Sequence, residues 1–323
     1  MRMWHVAATV TVCACLAGAC SPGLTPAPSG QRQLTHPVQR PLPRTLYGVT
    51  ADDVSDPWQL VTASRRLPEM PITRLYLDVR QPPGHYAAAV AALRPVSYLM
   101  GELLDSSDET QISVAAYDRR VGSYLAAFGN TIDLWEIGNE VNGNWTGPYP
   151  AVRAKLAVAY RDVSALGQRT ALTLDYNLGC GAGPGELDPI AFTRKFVPPE
   201  VRNGLTYVFL SYYEGDCNGV RPGAGTWTAY FEALHTLYPH ARLGFGEIGM
   251  NSPVTSTTIN TAKPMITYYY GLPIHLPYYA GGYFWWYYYE DCLPYATKPL
   301  WRALRRGFEA ETASQRWSGF WRS

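Results

Sequence analysis

From Arg44 onward, short apolar or β-branched runs alternate with stretches whose apolar residues recur at helical spacing, and the alternation repeats eight times. The strand-like runs cover residues 44–50, 72–79, 96–103, 133–140, 170–177, 205–213, 242–249 and 281–289, and the helical stretches cover 56–67, 84–94, 113–129, 151–168, 188–196, 226–238, 261–271 and 298–311. Repeated strand–helix units build parallel sheets, because each helix covers the strands it joins. Eight units predict one closed (β/α)8 barrel over residues 44–311, in preference to an open doubly wound sheet.

Alternation within the strands divides their side chains between two faces. In ITRLYLDV, Leu75, Leu77 and Val79 suit the helix side, which turns Arg74, Tyr76 and Asp78 toward the barrel axis. In DLWEIGNE, Trp135 and Ile137 go outward and Glu136, Gly138 and Glu140 inward. A barrel interior built only for stability would not take an Arg and two Glu, since unpaired buried charge costs several kcal/mol.

The chain ahead of the barrel has a different character. An apolar run from Val6 to Ala19 follows a single Arg and precedes Cys20; it is too short to span a bilayer and reads as an export signal over residues 1–19. LAGAC resembles a bacterial lipobox, which would make Cys20 the lipidated first residue and the only link to a membrane. The match is shifted, because Leu16 stands four residues before the Cys rather than three. Residues 20–43, rich in Pro, Ser, Thr and Gln, have little to bury and are expected to form a flexible tether. Residues 312–323 are expected as a C-terminal tail.

Charge and composition narrow the function. Lys and Arg total 27 against 26 Asp and Glu, with no basic run to neutralise a row of phosphates, so a nucleic-acid partner is not expected. The 24 Tyr and 10 Trp supply aromatic faces suited either to core packing or to flat, partly apolar ligands such as sugar rings. Six scattered His with no HExxH and no Cys pair at metal spacing predict neither a metal nor another cofactor. GFGEIG fits the GxGxxG expression but is followed by MNSPVTS where a dinucleotide site needs a helix. GCGAGPG lacks the Lys-Ser/Thr ending of a phosphate loop and reads as a loop over the barrel mouth. No GxSxG is present. Of the three cysteines in the body, Cys180 follows the fifth strand and Cys217 the sixth, so neighbouring loops bring them together as a disulfide and leave Cys292 free.

The carboxylates carry the strongest signal. Glu140 ends the fourth strand, at the end of a barrel where catalysis resides. Glu136 lies about 13 Å deeper at the usual rise, too far to share one bond with it. The partner must come from another strand, and Glu247, flanked by glycines at the end of the seventh, is the candidate. WEIGNE with Val-Asn after it, and GEIG about 110 residues on, resemble glycoside hydrolase clan A, the retaining glycosidases built on (β/α)8 barrels. The resemblance implies that Glu140 is the acid/base, Glu247 the nucleophile, and Asn139 the partner of the sugar 2-hydroxyl. It also implies that Arg74 hydrogen-bonds the nucleophile; a structural ion pair with Glu136 is the alternative reading of Arg74. Tyr213, or its neighbour Tyr212, resembles the Tyr that touches the nucleophile, and Trp286 the Trp that floors the sugar site. Val141 departs from the pattern, standing where many members carry Pro. The resulting expectation is an exported, monomeric, lipid-anchored retaining glycosidase acting on an oligo- or polysaccharide. A carbohydrate-binding barrel without turnover is the second reading, and a solute receptor the third, although a receptor calls for two open lobes.

Overall fold

The computed structural model describes residues 39–320 except 178, 179, 181, 182 and 184, and of residues 315–320 it describes the backbone alone. The expected signal, Cys20, most of the tether and most of the Gly-rich loop after the fifth strand lie outside the described residues.

The described chain folds into a closed barrel of eight parallel strands in sequence order. They are β1 (Leu46–Ala51), β2 (Ile72–Tyr76), β3 (Tyr98–Glu102), β4 (Leu134–Glu136), β5 (Thr170–Asp175), β6 (Tyr207–Tyr212), β7 (Arg242–Ile248) and β8 (Tyr279–Trp285). The (β/α)8 architecture read from the alternation is therefore the architecture of the molecule. The helices around it are α1 (Pro57–Ser64), α2 (Ala87–Leu93), α3 (Val114–Phe128), α4 (Tyr149–Ala165), α5 (Pro189–Phe196), α6 (Pro199–Gly204), α7 (Ala224–His235), α8 (Ile259–Tyr270), α9 (Tyr288–Cys292) and α10 (Pro299–Phe320). Local chemistry sets several starts: Asp56 and Asp188 accept backbone N–H groups of the first turns of α1 and α5, each followed by a Pro preset for helix.

Among the boundaries that differ from the sequence reading are those at the two ends of the barrel. The eighth strand begins at Tyr279 and stops at Trp285, because Tyr288 already starts α9. Helix α10 continues beyond Glu311 to Phe320, and the Thr312 hydroxyl lies 2.9 Å from that of Tyr47. At the other end, residues 39–43, assigned to the tether, are docked. Arg40 Nε donates to Asp133 Oδ1 at 3.0 Å, and its other nitrogens donate to the carbonyls of Arg94 and Ser97 at 3.0 Å. Asp133 also accepts the Leu99 N–H at 2.9 Å. This clamp closes the end of the barrel where the strands begin.

The two strand faces have separate cores. The outward set, with Leu75, Trp135, Leu172, Leu210 and Phe245, packs under the helices, and much of the tyrosine goes there: Tyr176, Tyr212 and Tyr269 surround Trp227 and Phe245. The inward set is apolar in its lower layers, where Leu46, Ile72, Met100, Leu134, Ala171 and Phe209 fill the barrel. Above them the interior becomes polar. Cys180 and Cys217 are joined, and Cys292 is a buried free thiol.

Candidate active site

Alternation carries Arg74 of β2 inward, fully buried, and there it meets three carboxylates. Its Nε donates to Glu136 at 2.6 Å, one terminal nitrogen donates to Glu247 at 2.9 Å, and the other lies 2.9 Å from Glu102. The contact with Glu102 is ionic without hydrogen-bond alignment, and neither Glu102 oxygen has a hydrogen-bond donor. Arg74 thus bonds Glu247 and Glu136 at once, so the two expected contacts are not alternatives. Burial opposes its charge, but the fields of Glu102, Glu136 and Glu247 outweigh that and keep it protonated.

Strand parity alone would have misplaced Glu247, since Leu243 and Phe245 on the same parity pack outward. A bulge corrects it: Leu210 pairs with Phe245 but Ser211 pairs with Glu247, leaving Gly246 as the extra residue. A side chain at Gly246 would begin 2.5 Å from Thr173 Oγ1 and 2.7 Å from Phe209 Cβ, so only glycine lets two successive residues face in. Glu247 then accepts from Arg74, from Asn139 Nδ2 at 3.1 Å and from the Tyr213 hydroxyl. Tyr213 rather than Tyr212 makes this bond, because Tyr212 faces the helices and donates to the Val220 carbonyl.

The fourth run loses its alternation earlier than expected. β4 ends at Glu136, and a side chain at Gly138 would meet Leu156 and Leu172 on the helix side. Asn139 and Glu140 both turn into the site, Glu140 in a left-handed backbone conformation with φ 45°. Such a conformation in a non-glycine residue costs about 1–3 kcal/mol and persists only when its surroundings hold it. They do so through two hydroxyls: Ser211 donates to Glu140 Oε1 at 2.6 Å and Ser106 to Oε2 at 2.9 Å. Ser106 also donates its N–H to Asn139 Oδ1 at 3.1 Å. Asp78, expected inward, instead lies beyond the end of β2 and pairs with Arg80.

The two carboxyls differ in surroundings. Glu140 has no cationic partner; burial and then the charge of Glu247 push it well above the ordinary range. Glu247 is pushed up to about 7, burial raising it while Arg74 and Tyr213 pull it back. Arg74 does not hold it lower because its charge is divided among three groups. Both face a cleft of about 730 Å³, which Trp286, Trp145 and Tyr213 also line. Trp286 lies above Arg74, 5.1 Å from the guanidinium carbon to the ring centre, while Trp285 packs outward and donates to Asp291 at 2.8 Å. Asn142, adjacent in sequence to the motif, ties its loop to Asp175 and Leu187.

Reading the sequence missed Glu102, Ser106, Ser211 and Thr173, whose hydroxyl donates to Glu136. Glu102 and Ser211 share parity with Met100 and Phe209, both inside the barrel, and that signal could have found them. Ser106 sits in a short 3-10 turn and carries no such mark.

Comparison of the fold finds glycosidases. A glycoside hydrolase family 5 enzyme from Prevotella bryantii B14, in complex with a xyloglucan tetradecasaccharide, aligns over 84% of this chain and 94% of its own, with TM-score 0.55 and 11% identity. A GH5-4 broad specificity endoglucanase from an uncultured bacterium aligns over 80% and 86%, with TM-score 0.54 and 13% identity. A GH10 xylanase from Bispora sp. MEY-1, with xylobiose, aligns over 74% and 82%, with TM-score 0.53 and 13% identity. These likenesses establish the barrel fold. No family model and no curated protein matches the chain.

Proposed function

We propose that the protein is a retaining glycoside hydrolase acting on an oligo- or polysaccharide. The observation that carries this reading is the unequal environment of two buried carboxyls facing one cleft: Glu247 is held by Arg74, Asn139 and Tyr213, and Glu140 by two serine hydroxyls and no cation. Environments that separate two carboxyls in this way assign them different roles. Glu247, the more easily ionised, attacks the anomeric carbon while Glu140 gives its proton to the leaving oxygen as the glycosidic bond breaks. Water then attacks the ester, Glu140 takes its proton, and Glu247 leaves. Asn139, bonded to Glu247 and next in the chain to Glu140, is the group assigned to a sugar 2-hydroxyl, and Trp286 offers a ring face in the cleft.

Two substitutions test the assignment. Glu247→Ala should abolish turnover with no recovery in azide. Glu140→Ala should still form the glycosyl-enzyme from a substrate with a good leaving group, and azide should then give a glycosyl azide of retained configuration. Full activity in either variant, or an inverted azide product, rejects the pair. We also propose that the protein is exported and anchored through Cys20, so that Cys20→Ala appears in the soluble fraction; retention in the membrane would reject the anchor.

A further inference from the structure

Two tryptophans line the cleft, and they stand in different relations to the two carboxyls. Trp286 follows β8 and lies over Arg74, whose guanidinium donates to Glu247, so this ring belongs to the nucleophile's side. Trp145 comes instead from the segment that begins at Glu140, in the short 3-10 turn Asn144–Thr146. It is 43% exposed, whereas Trp135, Trp227 and Trp285 are fully buried.

A single exposed apolar side chain on an outer surface needs no explanation, and Trp58 on α1 is such a case. Trp145 differs because it is held in place inside a cleft. The Gly143 N–H donates to the Glu140 carbonyl at 2.9 Å, and the buried Thr146 hydroxyl donates to the Gly143 carbonyl at 2.8 Å. Asn142 ties the same segment to Asp175 and Leu187, and the Tyr149 hydroxyl donates to the Asn142 carbonyl at 2.7 Å. A side chain at Gly143 would begin 2.5 Å from the Trp145 ring, so glycine is what lets the indole lie against the backbone. The ring is thus braced from behind and partly open to the cleft. A face fixed in this way meets a ligand with little further loss of side-chain freedom.

In double displacement the acid gives its proton to the leaving oxygen, so the leaving group lies on the acid's side and the retained sugar on the nucleophile's. A cleft of about 730 Å³ has room for rings on both sides. We propose that Trp145 is the floor for the first sugar of the leaving group, and that the same ring holds a carbohydrate acceptor once the glycosyl-enzyme has formed. In that transfer an acceptor hydroxyl oxygen attacks the anomeric carbon, its proton passes to Glu140, and the bond to Glu247 breaks. The preferred bond is therefore one between two sugars. This assignment rests on the glycosidase reading and adds a specificity-determining residue to it.

The test uses the full-length protein with laminarin, soluble cellulose, xylan and mannan, then with oligosaccharides of the polymer it cuts and with the glycosyl fluoride of that polymer's disaccharide. Fluoride as leaving group places no sugar on the acid's side. Trp145→Ala should lower kcat/KM on the oligosaccharides about tenfold more than on the fluoride, the loss of one aromatic contact made in the transition state. With the fluoride as donor and an added oligosaccharide as acceptor, the ratio of transfer to hydrolysis should fall by a similar factor. Trp145→Tyr should recover most of both. An equal loss on fluoride and oligosaccharide in Trp145→Ala would make the ring merely structural, and unchanged oligosaccharide kinetics with unchanged transfer would leave it without a sugar to hold; either result overturns the proposal. So would failure to cut any of these polymers, and the azide experiment then decides separately whether the glycosidase reading falls with it.

Discussion

The lower and upper halves of the barrel interior are built by the same eight strands and the same alternation, yet they are opposites. Below, Leu46, Ile72, Met100, Leu134, Ala171 and Phe209 fill the space by volume alone. One residue pair further along the same strands, Ile72 gives way to Arg74, Met100 to Glu102, Leu134 to Glu136 and Ala171 to Thr173. The lower layers gain stability from apolar area removed from water. The upper layer costs stability, because several acids share one cation, and replacing such an array with apolar residues is often neutral or favourable. A fold keeps that layer only where it is put to use.

The widest separation between the halves should appear on removing Arg74. Arg74→Ala leaves Glu102, Glu136 and Glu247 buried without a cation, a change of about 3–5 kcal/mol for a broken buried pair. Without Arg74, Glu102 and Glu247, already raised by burial, rise still further above their unfolded values. A group raised on folding gives its stability below the unfolded value and loses it as pH climbs through the folded one. The melting temperature of the variant should therefore fall much more at pH 8 than at pH 5. Met100→Ala, in the lower layer, should cost about 2–5 kcal/mol through its cavity, equally at both pH values. If both variants showed the same pH dependence, the two halves would not differ as described.

A smaller effect concerns the rate. With Glu247 ionising at about 7 and Glu140 well above its ordinary range, kcat/KM should rise through about pH 7 and fall only at higher pH, where Glu140 loses its proton. Tyr213→Phe removes a donor that favours the Glu247 carboxylate, so the acidic limb should move to higher pH and the rate fall on the order of a hundredfold. Ser211→Ala removes the corresponding donor from Glu140 and should move the alkaline limb upward. Limbs that stayed in place in both variants would detach these residues from the titration.

Much of this was legible in the sequence because barrel strands repeat two simple signals, an apolar outward face and a spacing of two. Those signals gave the eight units, the inward Arg74 and Glu136, and the neighbouring cysteines. They failed where the backbone leaves regular geometry. Gly246 adds a residue that period-two reading does not count, Glu140 adopts a left-handed conformation, and Ser106 arrives from a 3-10 turn. Each irregularity lies in the upper half, where side chains must be re-aimed. The end of the tether was misjudged for another reason: Arg40 is fixed by polar bonds to Asp133 and to carbonyls, and no hydrophobic periodicity announces such a clamp.

That clamp supplies the mildest test. Arg40 is partly exposed and acts at the strand-beginning end of the barrel, below the apolar layers and remote from the cleft. Asp133 keeps Arg94 at 2.9 Å and the Leu99 N–H at 2.9 Å when Arg40 is removed, so its carboxylate is not left unpaired. Arg40→Ala should therefore cost only about 1–2 kcal/mol, the value of a few hydrogen bonds to a charged group at a half-exposed position. The denaturation midpoint should fall slightly while kcat/KM and both limbs of its pH profile stay where they are. A large fall in kcat/KM with an unchanged midpoint would mean that the two halves are coupled through the barrel, and the division between a supporting half and a reacting half would fail.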